Sequence, residues 1–280
     1  MKYIKFISFI WQNHVIRTLY VKMQKPVLNC MAWNERHVVI TIILLLVIGM
    51  GLRIGYRGMV ERLDRDEITY IANVEEFIAT DGTGGQKQQF LLIYIGAALH
   101  SLGINIETGL RVFNLICSMM WLVMTYFLGK SVFDSTRAGL ACLLLAVFNP
   151  YSIRISGQIM REPLYLLILS ACLFGAIQVI RDNRILCYSI VLGVLPILGI
   201  MTRYEGAELL AVAPVAIVFR GVQLFCAGKL RQQYFWLIGS MTVYIVALTV
   251  ALVLFWAIWP EYNRIFLDKF LWHYKDLAIN

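Results

Sequence analysis

Three charged clusters in an otherwise apolar chain have residue types suited to chemistry on a hydroxyl or a phosphate. The first is "DRDEITYIANVEEF", residues 64–77, in which Asp66 and Glu67 follow Asp64 and precede Glu75 and Glu76. A carboxylate acts as general base for an acceptor hydroxyl when it comes within hydrogen-bond reach of the proton. The same acids also suit a helix amino terminus, where the macrodipole favours negative charge. The second cluster is Arg154, Arg161 and Glu162, ending at Pro163. Guanidinium forks match phosphate oxygens, and a single Arg at a membrane face equally serves as a snorkelling anchor. The third is "TRYEG", residues 202–206, with Arg203 and Glu205 in a short link closed by Gly206. A mutual ion pair accounts for part of it, and charge at membrane depth points to function. Lys87, in "GGQKQQF", adds one more cation.

The elements that must position these residues are membrane helices. Of 280 residues, 60% are hydrophobic and only 15% charged, with a mean hydropathy of +0.71, whereas soluble domains are nearer a quarter charged. The fold class expected is therefore an all-α polytopic membrane protein. Its net charge of +8 does not imply nucleic acid, because the basic residues stand at the ends of apolar runs, where they anchor helices to headgroups. Apolar runs at residues 38–56, 108–129, 138–153, 163–180, 185–201, 207–219 and 234–258 give seven candidate spans. They lack the period-two alternation of a barrel. The six cysteines show no C-x-x-C spacing, so a metal centre built on them is not expected.

An eighth run, "FLLIYIGAALHSLGI" from Phe90, is about 15 residues long, a length more typical of an interfacial helix than of a span. We read residues 90–103 as a juxtamembrane helix within an outer loop of residues 57–107. Lys2, Lys5, Arg17, Lys22, Lys25 and Arg36 against the single acid Glu35 place the amino-terminal segment, residues 1–37, on the cytoplasmic side as an amphipathic stretch. The module of residues 38–258 follows, then an outer-face amphipathic tail of residues 259–280. In this topology the three charged clusters share the outer face.

In order, "RDEITYIA", "QKQQFLLIYIGAALHSLGI", "GLRVFNLICSMMWLVMTYFLGKSVF", "NPYSIRISGQIMREPLYLLI" and "GIMTRYEGAELL" resemble the GT-C glycosyltransferases. Within them the likeness is to the family 39-like group of dolichyl-phosphate-mannose protein mannosyltransferases and lipid A aminoarabinose transferases. The resemblance covers roughly residues 38–219. It implies a GT-C-like module of about seven transmembrane helices with juxtamembrane helices in the first outer loop. It also implies an inverting membrane enzyme that moves a sugar from a polyprenyl-phosphate carrier to a lipid, glycan or protein acceptor on the extracytoplasmic face. The corresponding location is a bacterial inner membrane, with the site facing the periplasm or exterior.

By position in the motifs, Asp66 would be the catalytic carboxylate with Glu67 beside it. Glu162 stands where many relatives have Asp, and Arg203 where relatives carry a base before Gly. Lys87, Arg154, Arg161 and Arg203 would neutralise the phosphate, with Glu162 and Glu205 orienting them or the sugar. No cofactor is required by this scheme; a divalent metal on Asp66, Glu67 and the acceptor would suit hard oxygen ligands, though the spacing does not demand one. Two departures stand out: "QQFLL" replaces the Pro-Leu that commonly opens the juxtamembrane helix, and relatives usually run hundreds of residues longer. The competing class is a non-enzymatic polytopic protein, a transporter or an assembly component of envelope polysaccharide synthesis. A transporter would favour mid-helix charges and broken helices in repeated halves.

Overall fold

The computed structural model describes residues 35–59, 63–80, 90–181, 185–228 and 230–258. Residues 1–34, Lys87 and the tail 259–280 lie outside the described residues. Among the described residues every regular element is helical. Helix α1, Glu35–Met59, carries Glu35 in its first turn and Arg57 in its last, the charge order that the helix dipole favours. Helix α2, Arg65–Ala79, starts at a capping box: the Asp64 side chain takes the amide of Glu67, and the Glu67 side chain takes that of Asp64. Helix α3, Phe90–Ser101, has 12 residues and rises about 18 Å, short of the roughly 30 Å hydrocarbon core.

Helix α4, Ile106–Phe133, is capped by Asn105, whose side chain accepts from the Thr108 amide at 3.1 Å. Helix α5, Thr136–Phe148, packs against it so closely that a Cβ on Gly129 would lie 2.7 Å from Cys142 Sγ, and one on Gly139 would lie 2.7 Å from the Tyr126 carbonyl oxygen. Small residues at facing positions allow membrane helices this approach. A short helix α6, Pro150–Ser156, follows at a bend of 63°. The apolar run 138–153, expected as one span, is thus broken in two. Pro150 lacks an amide proton and disfavours helical geometry at Asn149, whose side chain instead caps α6 by accepting from the Ser152 amide at 3.1 Å.

Helix α7, Glu162–Arg181, helix α8, Ile185–Thr202, a 3-10 segment Tyr204–Ala211, helix α9, Val212–Cys226, and helix α10, Leu230–Ile258, complete the described chain. Leu164, Ile168, Cys172 and Val179 form a stripe on α7 that packs with Leu192, Ala213 and Ala216. The link from α8 into the 3-10 segment requires bare backbone at Gly206, because a Cβ there would lie 2.2 Å from the Gly199 carbonyl carbon. Outside this core, Val39, Leu44, Val47, Leu145, Val215 and Phe235 are exposed apolar side chains, as a lipid-facing surface demands. Among the described residues five helices are long and apolar enough to cross a membrane, or six when the bent pair α5–α6 counts as one span. The chain is therefore a multi-pass membrane protein.

Candidate functional site

Helices α2 and α6 and the irregular link 157–161 enclose a cleft of about 260 Å³, lined by Asp66, Tyr70, Tyr151, Arg154, Ile155, Gln158, Met160, Arg161 and Glu162. Asp66 enters from the first turn of α2 and is exposed, while Tyr151 and Arg154 come from α6. Arg161 and Glu162 stand where the link runs into α7. Two acids and two cations thus face one space from segments far apart in sequence. Burial pushes the Tyr70 phenol up to about 12, so at neutral pH it is an uncharged O–H donor on this wall.

Glu67, expected beside Asp66 as a second catalytic acid, is not among the residues that line the cleft and is held by main-chain hydrogen bonds. Its side chain is 0% exposed. One carboxylate oxygen accepts from the Ile159 amide at 3.0 Å and the other from the Asp64 amide at 2.9 Å, with Arg57 Nη1 at 3.8 Å. A buried carboxylate persists only when hydrogen-bonded and paired, and here those partners join the start of α2 to the link 157–161. Glu75 and Glu76 are exposed farther along α2.

Arg203, expected as a phosphate cation, sits behind Glu162. Its Nη1 donates to Glu162 Oε1 at 3.0 Å, while Nη2 and Nε take both oxygens of Glu205 at 2.9 and 3.3 Å. Its guanidinium carbon lies 5.7 Å from the centre of the Tyr165 ring. Arg161 Nε approaches the same Glu162 oxygen at 3.6 Å. Glu162 therefore lies between two guanidinium groups, one on the cleft wall and one behind it, and Glu205 balances the rear one. Glu162, Arg203 and Glu205 thus form one ion-pair network that reaches Arg161. Arg154 is more than half exposed and reaches Asp64 at 3.9 Å.

Arg53, which the apolar run of α1 concealed, is 1% exposed. Its Nε donates to Ser118 Oγ at 2.8 Å and to Ser156 Oγ at 3.2 Å, its Nη2 to Ser152 Oγ at 3.3 Å, and its Nη1 to the Gly49 carbonyl at 3.0 Å. These bonds hold α6 against α1 and α4. Asn114 does the same for the link: its Nδ2 donates to the carbonyls of Gln158 and Met160 at 2.9 and 2.7 Å. An Arg inside an apolar run is itself a signal, whereas Asn114 and Gln158 carry no spacing pattern that marks them.

Among the described residues no three His, Cys, Asp or Glu side chains converge as a ready-made metal centre. Comparisons with protein-family models, with curated proteins and with solved structures return no match to this chain.

Proposed function

We propose that the chain is a membrane glycosyltransferase of the GT-C type that transfers a sugar from a polyprenyl-phosphate carrier to an acceptor hydroxyl on the extracytoplasmic side. The observation that carries this reading is the shared cleft: an exposed carboxylate, Asp66, faces Arg154 and Arg161 across a space of about 260 Å³. That is near the lower end of ligand pockets, roughly 300–1,000 Å³, and suits a phosphate and its sugar while the prenyl tail remains in lipid. Seven spans fit if α8, at 18 residues, also crosses.

In this mechanism Asp66 takes the proton of the acceptor hydroxyl as its oxygen attacks the anomeric carbon. The bond from that carbon to the phosphate oxygen breaks, and its electron pair leaves with the polyprenyl phosphate. Attack from the face opposite the leaving group inverts the centre. Arg154 and Arg161 neutralise the departing phosphate, so no general acid is needed. Glu162, backed by Arg203 and Glu205, sets the position of Arg161. Glu67 holds the floor of the site by joining α2 to the link. Lys87, outside the described residues, stays assigned to the phosphate on the resemblance alone. The resemblance likewise favours a bacterial inner membrane.

The test uses protein in nanodiscs supplied with a panel of decaprenyl-phosphate-linked hexoses, pentoses and aminosugars. Wild type is expected to release decaprenyl phosphate from at least one of them. Arg154→Gln and Arg161→Gln are each expected to lower kcat/KM about 10- to 100-fold, the loss of one charge-assisted contact. Variants as active as wild type would remove the arginines from the site.

The broken pair α5–α6 favours a second reading, because transporters line their sites with interrupted helices. That reading expects uptake of a lipid-linked or free sugar into vesicles with no release of prenyl phosphate.

A further inference from the structure

Of the residues that line the cleft, Asp66, Tyr151 and Arg154 are exposed, and Tyr151, 64% exposed, is the one among them with a broad apolar face. It is the second residue of α6, directly after the bend, and so stands next to the end of α5. The last turns of α5 have two distinct faces. Leu143, Ala146 and Val147 are buried and pack with Leu45 of α1 and with Leu122 and Tyr126 of α4. Leu144, Leu145 and Phe148, within about 100° of one another around the helix, are 45%, 73% and 51% exposed. An exposed apolar face thus runs along α5 toward the wall of a charged cleft, and Tyr151 stands where the two meet. The exposed apolar faces of α1, α9 and α10 contribute no residue to that cleft.

A cleft of about 260 Å³ takes a phosphate and its sugar, so the prenyl tail of the proposed substrate has to leave it for the hydrocarbon. We propose that the tail leaves across Tyr151 and that its first isoprene units lie along Leu144, Leu145 and Phe148 of α5. This rests on the proposed reading of the cleft as a prenyl-phosphate-sugar site. Arg154, about one helical turn beyond Tyr151, then holds the phosphate where the tail turns out of the cleft. Tyr151, with an apolar ring and a polar hydroxyl, suits the boundary between headgroup and hydrocarbon. The approach past exposed Asp66, on α2, is left to the acceptor.

The experiment uses full-length protein in nanodiscs and decaprenyl phosphate with a diazirine in its second isoprene unit. After illumination, mass spectrometry is expected to find adducts at Leu144, Leu145, Phe148 or Tyr151 that an excess of unlabelled decaprenyl phosphate suppresses. Suppressible adducts confined to other helices, or adducts at these four residues that no excess suppresses, would overturn the route. Leu145→Ser and Phe148→Ser, which alter exposed side chains, are each expected to weaken decaprenyl phosphate binding about threefold. They should leave dimethylallyl phosphate, with its single isoprene unit, unchanged; an equal loss for both ligands, or no loss for either, would also overturn the route. Arg154→Gln and Arg161→Gln are expected to reduce the suppressible adducts wherever they fall. Unchanged adducts in both variants would overturn the phosphate reading and this one with it, whereas adducts that fall with the arginines yet map to other helices would overturn the route alone.

Discussion

A helix turns about 100° per residue, and that single step carries Asp66 into the cleft while Glu67 points into the protein. The two adjacent acids therefore differ in what their loss should do. Glu67→Ala strands the buried Ile159 amide and the part-buried Asp64 amide and removes the partner of Arg57; a loss of about 3 kcal/mol or more is expected, read as a fall in unfolding temperature in detergent. Glu67→Gln keeps one acceptor oxygen and should lose less. Equal stability of Glu67→Ala and wild type would contradict the structural role. The division was partly legible in the sequence, because Asp64 and Glu67 have the three-residue spacing of a capping box. That spacing marks Glu67 as a helix-start residue and leaves Asp66 as the acid without a local task. Gln158 was not legible: it carries no charge and no period, and its environment exists only once Asn114, Glu67 and Asp64 converge on the link.

At the scale of elements, the break at Asn149–Pro150 turns the chain by 63° and delivers Tyr151 and Arg154 to the cleft. Hydropathy is blind to this break, since the residues on both sides are apolar, but the Asn-Pro pair is a known stop signal. Arg53 secures α6 through Ser152 and Ser156. Replacing it by Leu removes these charge-assisted bonds and is expected to cost about 1–3 kcal/mol. Hydrogen exchange should then rise first over residues 149–161, and a uniform rise along the chain would show that Arg53 has no particular hold on α6. At the other end of the network, Gly206→Ala would force a Cβ into the Gly199 backbone. It should destabilise the link that carries Arg203 by about 1–3 kcal/mol, measured by thermal unfolding; an unaltered midpoint would contradict that close contact.

For the whole molecule, the multi-pass helical architecture followed directly from composition, because long runs with few charges have no other stable form in lipid. The convergence of the charged clusters depended on topology, which sequence reaches only through the charge bias of the amino-terminal flank. The structure brings Asp66, Arg154, Arg161 and Glu162 to one cleft, with Arg203 and Glu205 behind it. Single cysteines at Asp66 and Arg154, in a background lacking the six native cysteines, should react with a membrane-impermeant thiol reagent from the same extracytoplasmic side. Labelling from opposite sides would separate the clusters.

The most direct test of the site is release of polyprenyl phosphate from its sugar-linked form by wild type and Asp66→Asn, in nanodiscs at matched folded content. Asp66→Asn is expected to unfold at the wild-type temperature and to lose turnover by about 100-fold or more, the contribution of a general base. Full turnover in Asp66→Asn would contradict it.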